Sequence, residues 1–383
     1  MFDAHTHLQS PLLSGVLARV IDDAARAGVT GVCCCATVPD DWPAVAELAR
    51  VRLPFVLVPA FGVHPWHVQG LPSDWPGRLA ALLDAHPDLK AVSRIVHNDN
   101  VVGMDEKPMH ALKKKKGSSM LVALDLVKSG DAKAILSCGN TGSLMGGGTI
   151  KLRPLDGIER PALATIIPSL KQPFVLLDAG ANPESTPSQL MHNAILGSNF
   201  SRAVLGITQP RIGLLTIGTE EGKGGERIQE THRLLKEIGD VINYSGLIEG
   251  FHLFDSQVDV VVCDGFVGNI VLKSCESLFH VIKDYLKIEL TRTPMRKVGA
   301  ALCKGAFRDM KSHFSPAEYG AAPLLGLRAP VFKAHGSSNR AAIAGAIKVA
   351  LTVIQHDISD RILKDLENAQ KRIHVSRPHE SES

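Results

Sequence analysis

The chain alternates short, continuously apolar segments with longer segments whose apolar residues recur at helical spacing. The clearest apolar run is Val258–Cys263, which ends at Asp264 and a Gly-Phe-Val-Gly-Asn turn. Behind that turn, residues 270–282 repeat their apolar positions at the period of a helix. A short apolar run indicates a strand buried on both faces, as in a parallel sheet. The pattern therefore predicts one strand–loop–helix unit of an α/β protein.

The same unit recurs along the chain. Further apolar runs predict strands over Ala134–Cys138, Phe174–Leu177, Arg211–Ile217 and Val331–Ala334. Helical spacing predicts helices from Ser118 or Ser119 to Val127, from about Ser188 to Phe200, and from Arg340 to about Ile354. Each of the five strands ends in a loop that combines Gly with Asn, Asp, Lys, His or Ser. In a parallel sheet, all five loops are expected to open at one edge, where such proteins bind ligands.

Residues 1–92 form a unit of their own in the pattern. Strands are predicted over Phe2–His7, Val29–Ala36 and Phe55–Val63, with helices over Leu13–Ala27 and Trp42–Arg50 between them. This β-α-β-α-β order is typical of a parallel barrel or an open parallel sheet. We expect these strands to dock, at least in part, on the edge of the sheet formed by the rest of the chain.

Composition narrows the function classes. The 383 residues are 45% hydrophobic, enough for a sizeable core. A net charge of +3 and an aromatic content of 5% argue against a nucleic-acid partner. The seven cysteines are odd in number and lie mainly in apolar runs, which favours reduced thiols in a cytoplasmic protein. No apolar run approaches the length of about 18 residues that a membrane span needs.

The first predicted strand carries two histidines, His5 and His7, on the same face. Two imidazoles in this arrangement are candidate, though weak, metal ligands. Together with the Gly-Val-His-Pro turn at Gly62–Pro65, the segment resembles the start of TatD-type metal-dependent deoxyribonucleases, which are (β/α)₈ barrels. The resemblance implies a Glu ligand after Leu89–Val92, and the chain has none there. We therefore expect no tightly held metal.

A second resemblance rests on a series of loops and covers residues from Ser93 to about Ile362. The loops are Gly103–Pro108 (Gly-Met-Asp-Glu-Lys-Pro), Gly139–Gly142, Leu177–Asn182, Ile217–Glu221, Val262–Asn269, Glu318–Gly326 and His335–Ser338. In this order they resemble the phosphate acyltransferase family of phospholipid synthesis. The family's N-terminal Gly-Gly loop is missing, because the hydrolase-like segment occupies its place. The resemblance implies an α/β fold with an open, mostly parallel sheet and helices on both faces, like that of isopropylmalate dehydrogenase and phosphotransacetylase. The βαβαβ segment, like the start of a TIM barrel, precedes it.

The resemblance implies acyl transfer from acyl-acyl carrier protein to inorganic phosphate, which needs no cofactor. Phosphate can attack the thioester itself, so the protein must position it and stabilise the oxyanion. The candidate catalytic residues are His335, Lys273, Asp264 and Asn269. The candidate substrate-binding residues are Asn140, Thr141, Gly142, Asp178, Asn182, Lys223, Gly265, Gly268, Gly336, Ser337 and Ser338. The alternatives are surface charges for the lysines, and a turn or helix cap for Asn182 and Asp264.

Residues 283–311 hold eight Lys or Arg and three acidic residues, with apolar residues at helical spacing. Such a stretch suits a membrane surface or an acidic carrier protein, and a dimer-packing helix pair is the alternative. The resemblance implies a homodimer, associated peripherally with the inner face of the membrane. We expect domains at 1–92 and 93–362 and a charged, disordered tail at 363–383. The competing functional hypotheses are a TatD-like metal-dependent hydrolase or nuclease fragment and an inactive fusion.

Overall fold

The computed structural model describes residues 2–60 in part, scattered positions from 77 to 98, and then residues 100–220, 223–313, 321–336, 338 and 340–376. The described strands form two separate sheets, one of three strands and one of eight. The apolar pattern therefore predicted the α/β class correctly. It did not predict that the strands divide into two separate sheets.

The three-stranded sheet is built from the N-terminal segment. Its strands are β1 (Phe2–Thr6), β2 (Gly31–Cys35) and β3 (Val56–Ala60), and its helices are α1 (Leu17–Arg26) and α2 (Trp42–Arg50). The strands are parallel and lie in chain order, which confirms the predicted β-α-β-α-β unit. None of these three strands hydrogen-bonds to the larger sheet, so the expectation that they extend its edge is wrong. Instead, β1 lies against a helix of the larger body, Arg340–Gln355.

The eight-stranded sheet has the order β4-β11-β10-β5-β6-β9-β7-β8. Its strands are β4 (Ile135–Ser137), β5 (Ala162–Ile167), β6 (Phe174–Leu177), β7 (Arg211–Thr216), β8 (Asn243–Glu249), β9 (Val260–Val262), β10 (Ala322–Leu325) and β11 (Val331–Lys333). The helices of this body are α3 (Pro108–Lys114), α4 (Ser119–Lys128), α5 (Thr141–Leu152), α6 (Pro187–Val204), α7 (Gly225–Glu237), α8 (Gly265–Thr291), α9 (Pro294–Leu302), α10 (Lys304–His313), α11 (Arg340–Gln355) and α12 (Ile358–Ser376).

The strand directions divide the sheet into two parts. Strands β6, β9, β7 and β8 are mutually parallel, and β4 is parallel to β11. Between these groups, β10 is antiparallel to both of its neighbours, and β5 is antiparallel to β6. The predicted loops therefore open at two opposite edges rather than at one. Sequence reasoning missed this because it did not identify β5 and β10, the strands at which the direction reverses.

The two faces of the sheet are covered by different helices. One face packs against α6, α7, α11 and α12 around residues such as Leu177, Phe200 and Phe332. On the other face, Val331 packs in a cluster with Leu144 of α5. The first turns of α8 cover the same face farther along, through Val271 and Leu272. Because neighbouring strand residues point to opposite faces, Lys333 points to the face of Val331, α5 and α8.

The C-terminal segment departs from its prediction. Helix α12 continues to Ser376, and its residues Leu366 and Ala369 are buried against the main core. The prediction of a disordered tail from residue 363 is therefore wrong for residues 363–376, because an apolar stripe packs this helix against α6 and α7. Residues 377–383 lie outside the described residues.

Candidate active site

The loop after β6 is organised around a buried carboxylate. Asp178 accepts hydrogen bonds from the backbone N–H groups of Leu163, Gly180, Ala181 and Asn182 at 2.7–3.1 Å, and from Asn182 Nδ2 at 3.0 Å. Burial raises the pKa of Asp178, while these backbone donors act in the opposite direction. Both oxygens of Asp178 accept hydrogen bonds from protein groups, so this carboxylate stabilises the conformation of the loop. The side-chain amide of Asn182 also stabilises the loop, because it donates to Pro161 O at 2.8 Å.

Helix α8 begins in direct contact with this loop. The N–H of Gly265 donates to Asn182 O at 2.8 Å, and a Cβ on Gly265 would lie 2.6 Å from the same oxygen. A Cβ on Gly268 would lie 1.9 Å from Asp178 O. Both glycines thus permit the close approach of two backbones, which is a different use from leaving room for a ligand.

Asp264 is the N-cap of α8. Its Oδ1 accepts from Val267 N at 2.9 Å, and its Oδ2 pairs with Arg227 Nη2 at 2.6 Å. Arg227 Nη1 in turn reaches Ser185 O at 3.4 Å. The helix-cap alternative therefore describes this carboxylate, which is only 7% exposed. Sequence reasoning missed Arg227, although its position just behind Gly224–Gly225 at the start of α7 was a usable signal.

Asn269 and Lys273 occupy successive turns of α8 and are both exposed. Asn269 lies beside Gly180, where an added Cβ would be 3.4 Å from the asparagine Cβ. Within the described residues its amide has no hydrogen-bond partner. Lys273 pairs with Glu276 on the same helix at 2.6 Å. Of the candidates on α8, these two side chains are the ones presented to solvent and to a ligand.

A second group of candidates surrounds the N-terminus of α5. Asn140 caps the helix by accepting from Ser143 N at 2.9 Å. Its Nδ2 donates to the carbonyls of Gly103, Met104 and Glu106 at 2.9–3.3 Å. One buried asparagine therefore attaches the Gly103–Pro108 loop to the helix. Thr141 and Gly142 supply the first N–H groups of α5, which have no intrahelical acceptor.

The Gly103–Pro108 loop is also held by a lysine. Glu106 Oε1 accepts from Gly103 N at 2.7 Å and from Lys115 Nζ at 2.5 Å. The hydrogen bond from Lys115 lowers the pKa of Glu106. Lys115 thus makes an internal contact from within the run of four lysines at Lys113–Lys116.

The loop after β11 lies beside the loop after β4. A Cβ on Gly336 would be 3.8 Å from Cys138 O, and Ser338 N donates to His335 O at 3.0 Å. His335 is exposed. Ser337 lies outside the described residues. Lys223 is exposed in the loop after β7, at the opposite edge of the sheet, so the structure separates it from this pair of loops.

Sequence reasoning missed a lysine beside the loops after β4 and β11. Lys333, the last residue of β11, is half-buried, and its ammonium donates to Ala334 O. Burial lowers the pKa of Lys333, Cys138 acts in the opposite direction, and the charge of Lys273 lowers it further. Lys273 belongs to α8, which contacts β5 and β6. A lysine that ends an apolar strand directly before Ala-His-Gly was the available signal.

The described cysteines are unpaired thiols. Burial raises the pKa of Cys138, Cys263 and Cys275, so these groups remain protonated near neutral pH. These three thiols therefore lack the thiolate character of a nucleophile.

Within the part of the chain that the structure describes, no group of three or more His, Cys, Asp or Glu side chains is placed to hold an ion. His7 and the side chain of His5 lie outside the described residues. Among the described helices, none is both long and apolar enough to span a membrane.

A cavity of about 620 Å³ lies at the Arg227–Asp264 pair. Its lining includes the charged side chains of Arg160, Glu184, Glu226, Arg227 and Glu230. Because both signs of charge are present, this cavity does not select an anion. The cations Lys273 and Lys333 lie elsewhere, on the face of the sheet covered by α5 and α8.

Glycine loops, helix N-termini and the cations Lys273 and Lys333 define the class as an α/β protein with a candidate anion-binding site. A family model described as "Fatty acid synthesis protein" matches residues 77–361. The phosphate acyltransferase of Syntrophotalea carbinolica is 41% identical over 324 residues, which are 84% of this chain and 88% of the relative. That of Thermoanaerobacterium thermosaccharolyticum is 42% identical over 273 residues, 71% of this chain and 81% of the relative. The chain belongs to the phosphate acyltransferase family.

Other similarities concern the N-terminal segment and the fold. A family model for "TatD related DNase" matches residues 2–121. A phosphotransacetylase from Streptococcus pyogenes superposes with a TM-score of 0.44 at 15% identity, over 92% of this chain and 94% of that one. A TatD homologue from Escherichia coli covers 37% of this chain and 51% of its own length, with a TM-score of 0.24 at 20% identity.

Proposed function

We propose that the protein transfers the acyl group of acyl-acyl carrier protein to inorganic phosphate, making acyl phosphate for phospholipid synthesis. The observation that carries this proposal is membership of the phosphate acyltransferase family. The exposed side chains of Asn269 and Lys273 on α8 are a donor and a cation of the kind that binds a phosphate dianion. The N–H groups of Thr141 and Gly142 at the start of α5 are further donors of this kind.

The reaction itself is balanced without a cofactor. An oxygen of HPO₄²⁻ attacks the thioester carbonyl carbon, and a C–O bond forms as the carbonyl oxygen becomes an oxyanion. The oxyanion then collapses, the C–S bond breaks, and the proton of the phosphate is transferred to the departing sulfur. The products are acyl phosphate and the carrier thiol. The protein contributes position and charge stabilisation, which are the usual large terms in such catalysis.

The acyl chain has a suitable place beside this site. A groove of about 530 Å³ follows α8 and is lined by Ile270, Lys273, Ser274, Ser277, Leu278 and Val281. Its apolar residues begin at the lysine and continue away from it along the helix. An acyl chain in this groove would keep its thioester near Lys273.

The exposed part of α8 supports a homodimer. Beyond the groove, Ile282, Tyr285 and Ile288 are 48–64% exposed, and several large apolar side chains together are unusual on a monomer surface. We assign this face to a second copy of the chain. Helices α9 and α10 carry five of the eight basic residues of 283–311 together with exposed Met295 and Leu302, which suits peripheral contact with an anionic membrane or an acidic carrier.

The domain boundary near residue 92 also remains a proposal. A separate three-stranded sheet that contacts the main body through α11 supports a distinct N-terminal unit. The family's Gly-Gly loop is missing from this unit, so we expect a slower enzyme than its relatives.

The test uses purified full-length protein with acyl-acyl carrier protein and phosphate. We expect release of the carrier thiol to require phosphate, and acyl phosphate to be trapped as a hydroxamate. Thiol release that is independent of phosphate would indicate a thioesterase and overturn the proposal. Absence of any turnover would favour an inactive fusion. Metal chelation is expected to leave the rate unchanged, whereas chelator-sensitive cleavage of DNA would support the hydrolase alternative.

A further inference from the structure

Lys333 is placed by the sheet rather than by a flexible loop. It ends β11 and pairs in register with Ser137, the last residue of β4. The ladder continues one step beyond it, since Ala334 N donates to Ser137 O at 3.0 Å. Val331 and Phe332, the preceding residues, are fully buried. The base of this lysine is therefore rigid, and only its side chain is free to adjust.

The direction of the side chain is also determined. Val331 packs on the α5 face and Phe332 on the opposite face, so Lys333 shares the α5 face by alternation. The loops after β4 and β11 are on this side, next to the N-terminus of α5. Lys273 belongs to α8, which packs on the same face through Val271 and Leu272 and contacts β5, two strands from β11. Its charge contributes to the lowered pKa of Lys333.

Two ammonium groups that approach each other are unfavourable unless an anion lies between or beside them. Within the described residues, Lys333 makes one hydrogen bond, to Ala334 O, and has no carboxylate partner. Lys273 has Glu276, but that pair lies on the exposed surface of the helix. The arrangement is thus short of negative charge until a ligand arrives.

We propose that Lys333 is a catalytic residue that binds the phosphate dianion together with Lys273 and the first N–H groups of α5. This inference rests on the proposed function and names the phosphate subsite within it. Lys333 holds the nucleophile by a charge-assisted hydrogen bond, while Asn269 lies one helical turn before Lys273, toward the Asp178–Asn182 loop. The lysine remains protonated throughout, because the proton that reaches the sulfur comes from phosphate.

The proposal has a pH signature. Burial is the first cause of the lowered pKa of Lys333. The charged or titratable groups that affect this pKa are Cys138 in the loop after β4 and Lys273 on α8. A lysine that binds phosphate must be charged, so activity at low phosphate should fall as the pH rises through this lowered pKa. Removing the charge at Lys273 should move that fall to higher pH.

The test compares Lys333→Met and Lys333→Arg with Lys348→Met, a control on the exposed face of α11. We expect Lys333→Met to raise the KM for phosphate about 10- to 100-fold, as loss of a charged hydrogen bond predicts, and to leave the KM for acyl-acyl carrier protein within about twofold. Lys333→Arg should recover part of the loss. Titration calorimetry with inorganic phosphate alone should show the same order of affinities, and the alkaline fall should shift upward in Lys273→Met.

An unchanged KM and an unchanged affinity for phosphate in Lys333→Met would overturn the proposal. Equal loss for both substrates, with no recovery by arginine, would also overturn it, because it would indicate a structural role. Either result leaves the proposed function intact if the unmodified protein still forms acyl phosphate. Failure of the unmodified protein would instead be a failure of the proposed function.

Discussion

The backbone oxygen of Asp178 occupies the space in which a side chain on Gly268 would begin, since a Cβ there would lie 1.9 Å away. This contact brings the first turn of α8 against the loop after β6, and it determines where Asn269 and Lys273 can reach. The position of the candidate catalytic side chains thus depends on a glycine that does not contact the substrate itself.

Gly268→Ala is predicted to destabilise the protein strongly. The added carbon must displace backbone on one side, and overpacking of this kind typically costs about 1–3 kcal/mol or more. Gly299→Ala is a matched control, because Gly299 lies in helix α9 with nothing within 4 Å of an added Cβ. That variant should be stabilised slightly, since alanine favours helices. Denaturant midpoints would measure both, and equal stability of the two variants would contradict the prediction.

Asn269 and Asp264 are predicted to respond differently to alanine. Asn269→Ala should lower kcat about 100-fold, as loss of a positioned donor does, with little change in stability. Asp264→Ala removes a helix cap and the partner of Arg227, so its unfolding free energy should fall by about 1–2 kcal/mol. Thermal unfolding and steady-state rates on the same preparations separate the two effects. If Asn269→Ala were fully active, that residue would be excluded from the site.

Asn140 can be tested with two substitutions that remove different hydrogen bonds. Asn140→Asp keeps an acceptor for Ser143 N but loses the donor to Gly103, Met104 and Glu106. Asn140→Ala loses both. We expect each variant to be destabilised by about 1–3 kcal/mol, because buried carbonyls lose their donor. Proteolysis within residues 103–108 should become faster in both, and unchanged cleavage would refute the attachment role.

Deletion of residues 1–92 should leave the eight-stranded sheet folded. Among the described residues, the three N-terminal strands are not paired with that sheet, and β1 contacts α11 of the body. We predict cooperative unfolding with a midpoint lowered by a few degrees, because part of α11 becomes exposed. Circular dichroism and a thermal melt check this. A deletion variant without a cooperative transition would show that the N-terminal unit is an integral part of the fold.

The types of the elements were predictable because burial periodicity is a local property. Phe174–Leu177 and Trp42–Arg50 were predicted with the bounds that the structure shows, and the strand and helix around Asp264 differ only at their ends. The loops that identify the family could be read in the same way, since each is a contiguous set of residues. The sequence alone thus determined the α/β class, the loops and the family.

Only the tertiary structure decided which loops face each other. The apolar pattern of a strand is the same in either direction, so the reversal at β5 and β10 left no trace in the periodicity. The roles of Asp264 and Asn140 depended on partners 37 and 34–37 positions away, respectively. Lys333 became a candidate only when the pairing of β11 with β4 placed it beside the loop after β4. Such contacts arise from how the elements pack. They cannot be predicted from local periodicity, because the residues that form them are distant in the sequence.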